Sequence, residues 1–177
     1  YEINIVNTVF RFEVAKGHLK WKMTEISRYS GVNRTLIYYY FGKTKKEIFN
    51  HCLEVIMNEF YGLSPEREQL VNSGKLMECS RKSYKLFHDN PEFMAFYFHW
   101  RFKKSPIQTR LIELEIAYKN RLKRLFPHLQ EPQLQAVHAA IQGIVTAPFL
   151  KEKEFDLAIY QIISPFLHSN LKEANLR

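Results

Sequence analysis

Glycine is scarce in this chain, six residues in 177, and neither Asn-Gly nor Asp-Gly occurs, so the strongest hairpin signal is missing. Cysteine is scarcer still: Cys52 and Cys79 stand alone, and neither they nor the seven histidines show a CxxC or HxxxH spacing, which leaves no metal site indicated. No glycine-rich phosphate loop and no nucleophile elbow is present. No catalytic residues and no cofactor are therefore expected, and the chain reads as something other than an enzyme. No apolar run approaches the roughly 20 residues of a membrane span, and no signal-peptide pattern opens the sequence. No membrane partner is expected. A reduced, cytoplasmic location is, with both thiols as core side chains.

What is present is a helical chain with an asymmetric charge. A hydrophobic content of 46% with 15% aromatics excludes disorder. The net charge is +8, and residues 1–50 hold nine Lys/Arg against four Glu, a net of +5. The remaining residues hold 17 against 14, a net of +3. More than half the excess thus sits in the first 50 residues, a basic footprint of the kind that meets nucleic acid.

The same region carries the most informative stretch, Met23 to Phe41. It reads as a helix, a glycine-bearing turn and a second short helix. Ile26 and Tyr29 can face a core from the first helix. Gly31 can take the positive φ that ends it, and Asn33 is a good N-cap for the next. That second helix carries Arg34, Thr35, Tyr38 and Tyr40 outward, with Leu36, Ile37 and Phe41 as apolar anchors; Tyr39 and Phe41 are assigned to the core. Two short helices about a tight turn set side chains into a DNA major groove. Arg34 can pair bidentately with guanine, and the Thr35 methyl can touch thymine. Thr24 adds a base or phosphate contact, and Lys22, Tyr38, Tyr40 and Lys45 hold phosphates and set register. The DNA-contacting set is therefore Lys22, Thr24, Asn33, Arg34, Thr35, Tyr38, Tyr40 and Lys45.

The stretch GVNRTLIYYYFGKTKKEIF, Gly31 to Phe49, resembles the recognition-helix signature of the tetracycline-repressor (TetR) family of bacterial transcription regulators. Ile5, Val6, Val9, Phe10, Lys16 and Gly17 look like that family's first helix and its end. The resemblance covers roughly residues 3–50. Three departures stand out: Glu13 where the family usually carries an aromatic, Trp21 or Lys22 where a Ser/Thr cap is common, and one extra residue between Phe41 and the next cap, Thr44. The resemblance implies a three-helix DNA-binding domain (1–48) and a larger helical domain (49–177) for ligand binding and dimerisation. It further implies a ligand cavity among the middle helices, and a dimer made by the C-terminal helix pair.

Beyond residue 44 everything reads as helix, about nine in all with no sheet. Thr44 caps one that ends near Gly62, and Ser64-Pro65-Glu66, Asn90-Pro91-Glu92, Ser105-Pro106 and Glu131-Pro132 are helix starts, since Pro is tolerated in a first turn. Ile107, Leu111, Leu114, Tyr118, Leu122 and Leu125 recur at helical spacing. A last helix runs from about Glu154, with Pro165 a kink. The candidate ligand-lining residues are Tyr84, Phe87, His88, Phe96, Tyr97, Trp100, Tyr118 and His138, a set suited to a flat, mainly apolar effector. The same aromatics at helical spacing also suit a plain core. Ala136, Ala140, Gly143 and Ala147 form a small-residue stripe, and Phe155, Ile159, Ile162 and Phe166 an apolar face, with Tyr160, Ile163 and Leu167 close to a second. The dimer interface is assigned to Ala136, Ala140, Gly143, Ala147, Ile159, Ile162 and Phe166; a central core helix is the alternative. The expected function is a ligand-responsive transcriptional regulator, a repressor, that binds a palindromic operator as a homodimer. The alternative is a helical protein-interaction module with a vestigial helix-turn-helix.

Overall fold

A computed structural model describes residues 1–147 and 150–166. Among the described residues there are ten α-helices and no strand, against about nine helices expected. They are α1 (Glu2–Lys16), α2 (Met23–Ser30), α3 (Arg34–Phe41), α4 (Lys45–Val55), α5 (Pro65–Asn72), α6 (Leu76–Asp89), α7 (Pro91–Arg101), α8 (Pro106–Leu125), α9 (Glu131–Val145) and α10 (Glu152–Ile163). No helix is long and apolar enough to cross a membrane among these residues.

The expected start signals act as starts. Ser64 Oγ accepts the Arg67 N–H at 3.3 Å to cap α5, and proline occupies the first turn of α5, α7 and α9, where its missing N–H costs nothing. Thr44 and Glu47 form a reciprocal capping box at α4. That helix then widens into a π-helical turn, Ile56–Phe60, before Gly62. At the other end of the chain α10 stops at Ile163 and tightens into a 3₁₀ turn, Ser164–Phe166, because Pro165 has no N–H to continue the ladder. Leu167, expected on a second apolar face, lies outside the described residues.

The chain divides into two compact units. One comprises Tyr1–Met57 with Asn90–Leu111, and the other Asn58–Asp89 with the described residues from Ile112 on. In the first, α7 packs along α1. Phe10 stacks on Phe96 at 4.1 Å and meets Phe93 edge-on at 5.1 Å, pairings worth about 0.5–1.5 kcal/mol each beyond simple burial. Tyr97 and Trp100 are buried in this same unit. In the second, Phe60 meets Phe87 at 3.9 Å, and Tyr84 stacks on Phe155 at 4.4 Å. Arg81 clamps Asp156 through two hydrogen bonds of 3.0 and 2.7 Å, fixing α10 against α6. Of the stripe expected on α8, Ile107, Leu111, Leu114 and Leu122 are buried and Tyr118 and Leu125 half-buried.

Three apolar assignments are corrected. Tyr29, Leu36 and Tyr39 all lie on the surface, Tyr39 with 79% of its area exposed. Tyr39 stands midway between the buried Ile37 and Phe41. At 3.6 residues per turn, a position two residues from each points to the opposite side of the helix. Phe41 is buried as assigned.

Candidate nucleic-acid interface

The short helix α3 is held from both ends. Gly31 ends α2 with φ 70° and ψ 12°, the left-handed conformation that side chains resist. Asn33 then starts α3, its Oδ1 accepting the Leu36 N–H at 2.9 Å. After Phe41, Gly42 takes φ 109°, and a Cβ there would lie 2.5 Å from the Glu47 Cβ, so only glycine fits. Ile37 and Phe41, with Val32 in the turn, are the buried anchors. Replacing Asn33 with Ala should cost about 1 kcal/mol through the lost cap. Thermal unfolding checks this, and an unchanged melting temperature would remove the cap from the account.

Around this helix the polar groups are fixed by carboxylates. Glu47 Oε2 accepts the Lys43 N–H at 2.7 Å and the Thr44 N–H at 3.1 Å; these backbone donors, Thr44 first, hold its carboxyl below the usual range. Glu25 lies 2.5 Å from Lys16 Nζ and accepts the Lys22 N–H at 2.8 Å; the Lys16 hydrogen bond, then the Lys22 amide, lower its pKa. Lys22 therefore occupies the N-cap position of α2 without its side chain doing the capping, which falls to Glu25. For both glutamates the folded form favours the carboxylate. Their contribution is complete above the ordinary carboxylate pKa and is lost as pH falls through the lowered value.

The residues expected at DNA are brought together in this first unit. Lys22, Thr24, Asn33, Arg34, Thr35, Tyr40 and Lys45 are exposed and Tyr38 is half-buried. Arg34 is the first residue of α3. Lys45 is partly tethered: its Nζ donates to the Leu19 carbonyl at 3.0 Å and sits 5.6 Å from the Trp21 ring centre. Two N–H donors remain on the ammonium. Tyr39, missed as a surface residue, meets Tyr40 edge-on at 4.8 Å, which makes a paired aromatic edge on the outward side of α3. The spacing from Ile37 carried that signal.

The departures at positions 13 and 21 form one structure. Glu13 is fully buried, as is Trp21. Glu13 Oε1 accepts the Trp21 indole N–H at 2.7 Å and the Leu19 amide at 2.9 Å, while Oε2 lies 2.9 Å from His18 Nδ1. A buried carboxylate needs such donors. Here it ties the linker from α1 to α2, in which Leu19 adopts φ 55°, into the core.

The residues expected around an effector fall in both units. Phe96, Tyr97 and Trp100 belong to the first unit, with Phe96 stacked on Phe10. Tyr84, Phe87, His88, Tyr118 and His138 belong to the second. There Tyr118 and His138 line one cavity together, and Tyr84 and His88 line another. Of the residues assigned to a dimer interface, Ala136 and Gly143 are exposed and Ala140, Ala147, Ile162 and Phe166 are partly exposed. A Cβ added to Gly143 would meet nothing within 4 Å. Ile159, by contrast, is fully buried within the chain, so it has no surface left for a partner.

No protein-family model and no curated protein sequence matches this chain. In structure it is similar to a Clostridium perfringens "putative fatty acid metabolism regulator", with a TM-score of 0.59 and 18% identity over 94% of this chain and 100% of that one. At that identity the similarity shows a shared all-α fold.

Proposed function

We propose that this chain is a ligand-responsive transcriptional regulator that binds a palindromic DNA operator as a homodimer and represses. The observation that carries the reading is α3: eight residues, capped by Asn33, anchored by Ile37 and presenting Arg34, Thr35, Tyr39 and Tyr40 outward. The Clostridium perfringens neighbour, itself described as a regulator, supports it. Residues 1–48 act as the DNA-binding domain and the rest as the regulatory domain. Arg34 and Thr35 read bases, while Lys22, Tyr38, Tyr40 and Lys45 position the backbone and Thr24 adds a further contact.

Binding of labelled duplex DNA at two salt concentrations tests this. Affinity should fall steeply with salt, log K losing about 0.9 per log unit of salt for each phosphate neutralised. A salt-insensitive, negligible affinity would favour the helical interaction module instead. Selection of bound sequences from random duplexes should return an inverted repeat.

One short recognition helix reads too few bases alone, so a twofold dimer is part of the reading. The open stripe Ala136, Ala140 and Gly143 on α9, with Ile162 and Phe166, supplies the contact. Ala140→Arg, which places a bulky charge where two backbones approach, should yield monomers that no longer hold the palindrome. Light scattering checks this; a wild-type monomer at micromolar concentration would refute it. An effector bound by the second unit lowers operator affinity, with a coupling of about 1–3 kcal/mol, or 5- to 150-fold.

A further inference from the structure

Arg121, on α8 within the second unit, is only 2% exposed. Its Nη1 donates to the Gly62 carbonyl and lies 3.5 Å from the Tyr61 carbonyl; Nη2 lies 3.5 Å from Cys79 Sγ. Its Nε is buried with no hydrogen-bond partner among the described residues, and no carboxylate there is paired with it. The contrast with Arg67 is direct. That guanidinium is equally buried but reaches Glu59 Oε2 at 3.4 Å. A buried cation without a counter-charge is costly unless something anionic compensates it.

Arg121 lines a cavity of about 30 Å³ bounded by α6, α8, α9 and the Phe60-Tyr61 segment. That space takes a group the size of a carboxylate, a little more than one water. Tyr118 lines it too. Desolvation pushes the Tyr118 phenol well above its ordinary pKa, against the opposing charge of Arg121, so at neutral pH it remains a hydrogen-bond donor. Leu76, Ile141 and Val145 supply an apolar part of the wall, and Ser80, Ser83, His138 and Gln142 a polar part.

We propose that this cavity is an anion site that takes a short-chain carboxylate, its head paired to Arg121, with the Tyr118 hydroxyl as a second donor and its short alkyl group against Leu76, Ile141 and Val145. This departs from the flat, mainly apolar effector expected from the aromatics, and it rests on the regulatory reading only in calling the acid an effector. A charge-assisted pair supplies affinity that an uncharged isostere cannot.

The test uses the full chain and a matched series: formate, acetate and propionate against the alcohols and amides of equal length, titrated calorimetrically at neutral pH. Each acid should bind at least about 10-fold tighter than its alcohol, the factor expected of a hydrogen-bonded charge. Arg121→Gln should bring the ratio to about one with alcohol binding unchanged, while Arg121→Lys keeps part of it. Equal binding of acid and alcohol by the wild type, no binding of any acid at millimolar concentration, or an undiminished ratio in Arg121→Gln would each overturn the proposal. Should Arg121→Gln fail to fold, the wild-type ratio alone decides. Duplex titrations run alongside separate the two readings. Acids that bind without changing DNA affinity leave the anion site standing and remove the sensor; DNA regulated by ligands regardless of charge does the reverse.

Discussion

Glu13→Ala should destabilise the first unit by about 3 kcal/mol, measured by urea unfolding followed by tryptophan fluorescence, since Trp21 and Trp100 are both buried in that unit. The substitution leaves the Trp21 indole N–H and the Leu19 amide without the acceptor they share, and each buried donor stranded in this way costs about 1–3 kcal/mol. His18 costs less, because 40% of its side chain is exposed and can turn to water. Glu13→Gln should cost only about 1 kcal/mol, since one amide oxygen can serve both donors and only the His18 contact is lost. For a chain of this length 3 kcal/mol corresponds to a fall in melting temperature of about 6–12 °C. DNA affinity should drop as well, because the same linker leads into α2 and anchors Lys45 through the Leu19 carbonyl. An alanine variant within about 0.5 kcal/mol of wild type, the range of an unremarkable surface change, would show that the buried carboxylate is not what ties α1 to α2.

Arg34→Ala should weaken specific DNA binding by about 1–3 kcal/mol and relax the preference at one base position in each half-site. The reason is positional: Arg34 opens α3, is exposed, and has a guanidinium that fits the guanine edge bidentately. Lys45→Ala should behave differently, weakening all duplexes to a similar degree and shallowing the salt dependence by about one unit per site. Selection from random duplexes, repeated for each variant, separates the two. Equal losses on specific and random DNA for Arg34→Ala would remove it from base reading.

The sequence by itself determined the all-α class and most helix limits, because those are local matters. Asn33, Thr44 and Ser64 cap helices through atoms three residues away, and prolines mark first turns by what their own backbone lacks. Arg34, Thr35 and Tyr40 were legible as the outward set of α3, whereas Leu36 and Tyr39 were placed inward and are exposed, and Tyr38 is half-buried. Only the tertiary structure decided which buried groups meet. Glu13 and Trp21 looked like separate oddities, and folding turns them into one hydrogen-bonded pair. Eight aromatic and histidine residues with similar periodicity divided between two units, since helical spacing says that a side chain faces inward and not what it faces. Ile159, placed on an apolar face, was consumed by the chain's own core. Arg121 drew no notice as one arginine on a charged helix; its burial without a carboxylate arises from contacts with Tyr61, Gly62 and Cys79, some 40 to 60 residues away, and no local pattern encodes a partner at that distance.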